Sequence, residues 1–316
     1  MSTTAFPVNP ELTAVAVGYK NRDVDLIADA VLPRVRTAKK FAYTKYTQAD
    51  AYTVPETMVG RKSEPSMVDF GGVLVNDECV DWGLDGLVPI DEIDAFDAMQ
   101  NKGAMVNPRV KSASLIAGLI ALDREIRVAK LVFSAATYAS SNQATLSGTS
   151  QWSDFANSDP MGALLAALDA PLIRPNTVVL GQAAWTKLRQ HPRLVQAANA
   201  SSQGGGAITR EQLASLLEVK NILIGAGFVN TARKGQAPSY SRVWGKHCAL
   251  LFVSEDLANA DQPQFGFTAQ FGERIAGVIP AQTKGLRGGE IIRVGESVKE
   301  VISANDAGYF FQNVVA

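Results

Sequence analysis

Few side chains in this sequence have the types and spacing from which chemistry could be built, and each set fails a requirement of that chemistry. Gly225-Ala226-Gly227 follows the strand-like Ile222-Leu223-Ile224, as in a dinucleotide-binding turn. Such a turn needs a third glycine and a helix opening beyond it, where the pyrophosphate sits. Here the third position is Asn230, and Thr231-Ala232-Arg233-Lys234-Gly235 opens no helix, so a plain turn is expected. No G-x-x-x-x-G-K-[ST] phosphate loop occurs. The two histidines are His191 and His247. His191 precedes Pro192 at a helix junction, where a cap or surface role is expected. His247 and Cys248 are neighbours on a probable strand, so alternation aims them at opposite faces. A Cys–His nucleophile pair needs direct hydrogen bonding, which that placement denies. Zinc would need more ligands at finger-like spacing than the chain supplies. We therefore assign no catalytic, cofactor-binding or metal residue and expect no cofactor.

A second group of residues has the chemistry of contact. Asp77, Glu78, Asp81, Asp85, Asp91, Glu92, Asp94 and Asp97 all lie between Lys62 and Lys102 with no Lys or Arg intervening. Asp81 to Gly86 lacks the Asp-x-Asp-x-Asp-Gly spacing of a calcium loop. The stretch reads either as a solvated face or as a contact surface for basic residues of a neighbour. On the second reading Asp77, Glu78, Asp81 and Asp85 would meet Lys39, Lys40, Lys45, Arg61 or Lys62, and complementary charge would fix register and partner. Arg124, Arg127 and Lys130 recur every three residues and are candidates for an inner surface facing nucleic acid. A solvated helix face is the plainer reading, and no interleaved aromatics support base stacking.

The elements that must position these residues follow from pattern. Asn107 as cap and Pro108 in the first turn open a helix expected to run to about Tyr138. Ile116, Leu119, Ile120, Leu122, Ile126 and Leu131 form its apolar stripe, and Asp123 with Arg127 an i,i+4 pair. At 1.5 Å per residue this is a beam of about 45 Å. Residues 1 to 40 look like an arm, with a short helix opened by Asn9-Pro10 and a short apolar run before Pro33. Residues 41 to 80 read as extended β runs around Gly60-Arg61-Lys62-Ser63-Glu64-Pro65 and Gly71-Gly72. A two-stranded ribbon has little core of its own, which hints at a partner surface. Pro160 to about Asp169 is a short helix, Thr209 with Gln212 a capping box, and Ser201 to Gly206 a flexible loop. Beyond Phe265 the chain is largely β.

At 316 residues the chain has room for a sizeable core. Its net charge of −1 creates no global field for nucleic acid or membrane. Cys79 and Cys248 are too few for a disulfide scaffold and fit a reducing compartment. No secretion signal or membrane span is evident.

The wording from Thr177 to Val253 carries more than any active-site spelling. Val179-Leu180-Gly181-Gln182-Ala183-Ala184-Trp185, Leu188-Arg189-Gln190-His191-Pro192, Ile222-Leu223-Ile224-Gly225, Asn230-Thr231-Ala232, Lys234-Gly235 and Val243-Trp244-Gly245-Lys246 resemble the major capsid proteins of tailed bacteriophages. Within that family the chain looks closest to the Mu-like coat proteins. The resemblance implies an α+β chain with the Hong Kong 97-type capsid fold. Its parts would be an N-terminal arm (1–40), an extended β loop (41–80), a peripheral domain (81–176) with a spine helix (107–138), an axial domain (177–276), and a return to the peripheral domain (277–316).

The implied function is a coat subunit assembling as hexamers and pentamers into an icosahedral head around double-stranded DNA held without sequence specificity. A separate scaffolding protein, a portal protein and a decoration protein are the implied partners, with no membrane. The chain reaches its arm within about 30 residues, so scaffolding is expected from another protein rather than a cleaved leader. The type member's Lys–Asn cross-link has no motif here. Assembly is expected in the host bacterial cytoplasm and residence in the virion. The alternatives are a phage tail or decoration protein, or an α/β enzyme with a cryptic site.

Overall fold

In the computed structural model the described residues are 7–18, 26–46, 54, 57–61, 63–64, 67, 72–98, 107–199, 205–254 and 264–316. The helices are α1 (Pro10–Gly18), α2 (Ala28–Val31), α3 (Ile90–Asp97), α4 (Pro108–Val132), α5 (Pro160–Asp169), α6 (Gln182–Leu188), α7 (Pro192–Ala198) and α8 (Arg210–Leu217). The strands are β1 (Arg34–Arg36), β2 (Lys40–Tyr46), β3 (Gly72–Glu78), β4 (Val80–Pro89), β5 (Gln143–Thr145), β6 (Thr177–Gly181), β7 (Asn221–Gly225), β8 (Phe228–Asn230), β9 (Tyr240–Arg242), β10 (Cys248–Leu251), β11 (Gly266–Ala281), β12 (Gly289–Ile302) and β13 (Gly308–Gln312).

Among the described residues the strands form two sheets and two hairpin-like pairs. One sheet has the order β1-β11-β12-β4 and the other β5-β13-β10-β6-β7, while β2 pairs with β3 and β8 with β9. In the five-stranded sheet, β6 (Thr-Val-Val-Leu-Gly) and β10 (Cys-Ala-Leu-Leu) are buried at every residue. Their continuous apolar runs suit strands covered on both faces. Val178, Leu180, Cys248, Leu250 and Phe311 face a core shared with α5, α6, α7 and α8. The alternating Val179, Ala249, Leu251 and Phe310 face a second core, shared with Val128, Ala129 and Val132 of α4. The other half of α4 packs Ala113, Ile116, Ala117 and Ile120 against Ile292 and Val294 of β12 and Leu12 and Ala16 of α1. One helix thus ties both sheets together.

Local chemistry explains where α4 begins and ends. Asn107 Oδ1 accepts from Arg109 N at 3.0 Å, and Pro108 occupies the first turn, where its missing N–H costs nothing. The helix stops at Val132, earlier than expected, because the next residues turn back on it. Thr137 Oγ1 donates to the Leu131 carbonyl at 2.7 Å and Tyr138 Oη to the Val132 carbonyl at 2.8 Å. Those carbonyls would otherwise be orphaned at the helix end. The 25-residue helix is about 38 Å long at 1.5 Å per residue. Its buried stripe also differs from expectation: Leu119 is 56 % exposed, whereas Ala113, Ala117, Val128 and Ala129 are buried. Alanines give a weak hydrophobic signal, which hid the true stripe.

Three contacts bear on how the chain is organised. The described part of the first 40 residues is packed on its own subunit: Asn9 N donates to Ala276 O at 3.0 Å, and β1 pairs in parallel with β11. The boundary expected between 276 and 277 falls inside β11, so residues 266–276 belong to the sheet that carries α4. The final strand β13 leaves that sheet and pairs with β10. Strand partners so distant in sequence leave no local mark.

Other expectations match. Asn9 Oδ1 caps α1 through Glu11 N and Leu12 N, and Thr209 with Gln212 forms a reciprocal capping box at α8. Helix α5 has the expected bounds. The ribbon exists as β2 paired with β3, from Lys40↔Glu78 to Tyr46↔Gly72. Most of the expected extended runs between 47 and 71, and Ser201 to Gly204 of the expected flexible loop, lie outside the described residues.

Candidate functional site

The glycine turn and the histidines take structural places. A Cβ on Gly225 would lie 2.1 Å from the Trp244 ring, so this glycine exists to let the indole close on the strand. His191 is fully buried rather than at the surface, its Nε2 3.0 Å from Ser158 Oγ. Burial lowers its pKa, with nearby Arg193 adding to the effect. His247 Nδ1 accepts from Asn313 N at 3.0 Å, and its ring meets Phe133 edge-on. Cys248 points into the other core, where burial pushes its thiol far up. Among the described residues no three His, Cys, Asp or Glu side chains gather to hold a metal, and no helix is long and apolar enough to cross a membrane.

The basic series on α4 does not share one surface. Arg124 is 2 % exposed, buried by β11 and the segment before β1. Its guanidinium pairs with Asp29, donates to Leu32 O at 3.2 Å and reaches Thr268 Oγ1 at 3.0 Å. Burial lowers the Arg124 pKa, and Arg34 adds like-charge repulsion. Partial burial works to raise the Asp29 carboxyl, but Arg124 and Arg34 outweigh it and hold it below its usual range. Arg127 pairs with Glu300 at 3.0 Å and with Asp123, and its guanidinium lies 3.8 Å over the Trp82 ring. Only Lys130 of the three is exposed. Arg124 falls four residues after Ile120 and four before Val128, on the buried stripe, and that spacing was the available signal.

Sequence reasoning missed Glu125. Its carboxylate is fully buried and accepts from Ile27 N at 3.0 Å, Ala28 N at 2.8 Å and Trp244 Nε1. Burial raises its pKa despite these donors. Nearby, Glu296 accepts from Arg34 at 3.0 Å and Arg274 at 2.7 Å. Glu125 fastens the segment before β1 and the residues after β9 to helix α4, and Glu296 of β12 ties β1 to β11.

The acidic contact candidates are largely engaged within the chain. Lys39 Nζ pairs with Asp81 at 2.9 Å, Lys299 with Asp77 at 3.4 Å, and Arg293 grips Asp85 through two contacts of 2.7 Å. Asp81 also accepts from Ser297 Oγ. These bonds hold β3 and β4 in register beside β12. Lys40, Lys45, Arg61 and Glu78 are exposed, and Lys62 lies outside the described residues. A shallow depression of about 610 Å³ is lined by Lys40, Phe41, Ala42, Asn76, Asp77 and Glu78 at the ribbon base.

The ribbon is anchored at one end only. Tyr43 meets Phe267 edge-on at 6.0 Å. Farther out, Val73 and Leu74 are each 64 % exposed. Adjacent strand residues point to opposite faces, so neither face of the outer ribbon is covered by its own subunit. In the connection beyond, Val54, Met58 and Met67 are exposed as well.

Comparison with known proteins places this architecture. No family model matches the chain. It is 44 % identical over 317 residues to a major capsid protein of Pseudomonas phage JBD67, covering 100 % of both chains. It is 26 % identical to the major capsid protein of Burkholderia phage BcepMu, covering 97 % of this chain and 96 % of that one. Among solved structures, a phage-related protein from Bordetella bronchiseptica RB50 superposes with a TM-score of 0.73 at 23 % identity, covering 98 % of each chain. The mature capsid of bacteriophage PhiM1 superposes with a TM-score of 0.55 at 8 % identity, covering 99 % of this chain and 91 % of that one.

Proposed function

The chain belongs to the bacteriophage major capsid proteins, has the Hong Kong 97-type fold, and from that premise we propose how it closes a shell. It is a structural subunit of the virion and not an enzyme, which sets aside the tail, decoration and enzyme alternatives. Copies form hexamers and pentamers around the unit built on the five-stranded sheet, which acts as the axial domain. The unit built on the four-stranded sheet and α4 acts as the peripheral domain. The ribbon reaches onto a neighbour, with Lys40, Lys45, Arg61, Lys62 and Glu78 as its polar contacts. A separate scaffolding protein, a portal and a decoration protein complete a head assembled in the host cytoplasm, and double-stranded DNA fills it without sequence-specific contacts.

The observation that carries this reading is the uncovered outer ribbon. Val73 and Leu74 expose apolar surface on both faces, and a two-stranded ribbon is marginal in water by itself. A neighbouring subunit that covers it gains burial worth about 25 cal/mol per Å². Of the helical basic series, only Lys130 stays available for an inner surface, because Arg124 and Arg127 are occupied within the subunit.

Electron microscopy of the purified protein tests assembly: closed shells are expected, and a stable monomer under every assembly condition would sink the reading. Deleting residues 47–68 is expected to leave a folded subunit that does not assemble. Normal shells from that deletion would remove the clasping role.

A further inference from the structure

The chain segments packed against the two ends of α4 differ in charge. Residues 219–254 contain Lys220, Arg233, Lys234, Arg242 and Lys246 and no acid. Residues 63–101 contain ten acids and no Lys or Arg. The basic stretch forms the β8–β9 hairpin, whose base is fixed at the C-terminal end of α4 by the Trp244–Glu125 bond and by Phe133 against Trp244 at 5.1 Å. The acidic stretch includes α3, whose Ile93 and Phe96 are buried and whose Ile93 joins Ala113 and Ile116 at the N-terminal end of α4.

The hairpin is a built protrusion. Asn230 Oδ1 accepts from both Ala232 N and Ser239 N at 3.0 Å, which closes its neck, and Thr231 N donates to Ser239 O at 2.8 Å. Gln236 N donates to Arg233 O at 3.0 Å, and Gly235 turns the tip at φ +90°. This scaffold presents Arg233 and Lys234 to solvent beside Tyr240, which is 69 % exposed. Arg242 is held 4.4 Å over the exposed Phe228 ring. Arg242 donates to the Ala226 carbonyl at 3.5 Å, and none of the three has an acid partner among the described residues. Exposed aromatics beside arginine on an ordered loop have the composition of a protein contact.

On α3, Asp91 is engaged by Arg287 at 3.1 Å, whereas Glu92 and Asp94 are exposed with no basic partner among the described residues. The hairpin and α3 are held at opposite ends of one rigid helix, so their charges cannot meet within a subunit. They meet when copies stand head to tail, and such heterologous contacts close rings. We propose that the β8–β9 hairpin of one subunit docks on the exposed face of α3 of a second copy, Arg233, Lys234 and Arg242 meeting Glu92 and Asp94. This rests on the shell-subunit reading and adds a second, electrostatic contact to the ribbon.

Charge reversal tests it in the full-length protein, with wild-type shells as the separate check on the shell reading. R233E/K234E alone and E92K/D94K alone should each lower shell yield on the order of tenfold, as like charges are juxtaposed. Combining all four substitutions should restore it. The neutral pair R233Q/K234Q covers the case in which a reversal fails to fold: its yield should depend less on NaCl than that of wild type, because screened pairs have been removed. Wild-type yield from either reversal, no rescue by the combination, or an unchanged salt dependence of the neutral pair would each overturn the contact. R233E/K234E shells that form normally but retain less DNA would overturn it in favour of a nucleic-acid surface.

Discussion

The indole N–H of Trp244 donates to the Glu125 carboxylate inside a fully buried pocket, and the same carboxylate takes the N–H groups of Ile27 and Ala28. Three chain segments far apart in sequence therefore share one acceptor. The segment before β1 begins at its own N–H donors, α4 supplies the acid, and the end of the β8–β9 hairpin supplies the indole. A carboxylate at the start of α2 also complements the positive end of that short helix. In a subunit whose long helix joins two sheets, this acid sets how the N-terminal segment and the five-stranded sheet sit on the beam.

Glu125→Ala leaves three buried donors without a partner. Each unsatisfied buried group costs about 1–3 kcal/mol, so the variant is expected to lose several degrees of thermal midpoint or to fail to fold. Glu125→Gln keeps one acceptor oxygen and should lose less. The pH dependence separates them further. Burial raises the Glu125 pKa above its unfolded value, so its favourable contribution is complete below the unfolded pKa and is lost as pH rises through the folded one. Carboxylates held low, such as Asp29 and Glu290, act in the opposite sense and lose their contribution as pH falls. Comparing unfolding of wild type and Glu125→Gln across pH therefore isolates the residue: the difference should shrink in wild type's disfavour as pH rises.

Arg124 and Lys130 offer a contrast on one helix. Arg124→Ala removes a donor to the buried Leu32 carbonyl and Thr268 hydroxyl and leaves a buried space, and a lost buried hydrogen-bond partner costs about 1–3 kcal/mol, so the variant should lower the denaturant midpoint. Lys130→Glu, on the exposed side, should fall within about 0.5 kcal/mol of wild type. Equal stability of the two variants would mean that Arg124 is not the interior group described.

The same residues show what was legible in the sequence. Asn107-Pro108, Asn9-Pro10 and Thr209 with Gln212 announce helix starts because capping is local chemistry. The turn at Gly225-Ala226-Gly227 was legible for the same reason. The three-residue spacing of Arg124, Arg127 and Lys130 suggests one polar face, whereas the place of Arg124 between Ile120 and Val128 puts it on the buried stripe. The parallel pairing of β1 with β11 and the pairing of β13 with β10 were out of reach: Arg34 pairs with Thr268, and Cys248 with Phe311. Such pairings depend on how the sheets pack and on nothing in the neighbouring residues. The ribbon's uncovered state was anticipated in outline, but that Asp77, Asp81 and Asp85 are satisfied internally required the register of β3 and β4.

Gly225 offers a test of close packing. A methyl group there would meet the Trp244 ring at 2.1 Å, and the ring cannot retreat because its N–H is held by Glu125. Overpacking of this kind costs about 1–3 kcal/mol and sometimes more. Gly225→Ala should therefore lower the thermal midpoint, with a loss of the Trp fluorescence environment as the second readout. A variant as stable as wild type would show that the indole has room to move.

Val73 and Leu74 put the ribbon itself on trial. Both are exposed and belong to none of the four buried clusters of the described residues, so V73D and L74D should leave the subunit's own unfolding within about 0.5 kcal/mol of wild type. In a shell each aspartate would be pressed against a neighbour's apolar surface, where an unpaired charge is costly. Sedimentation and electron microscopy should then show folded subunits and few shells for each variant. Because the two side chains point to opposite faces, the size of each defect reports which face of the ribbon the neighbour covers. Normal shells from one variant alone would assign contact to the other face, and normal shells from both would detach the ribbon from assembly.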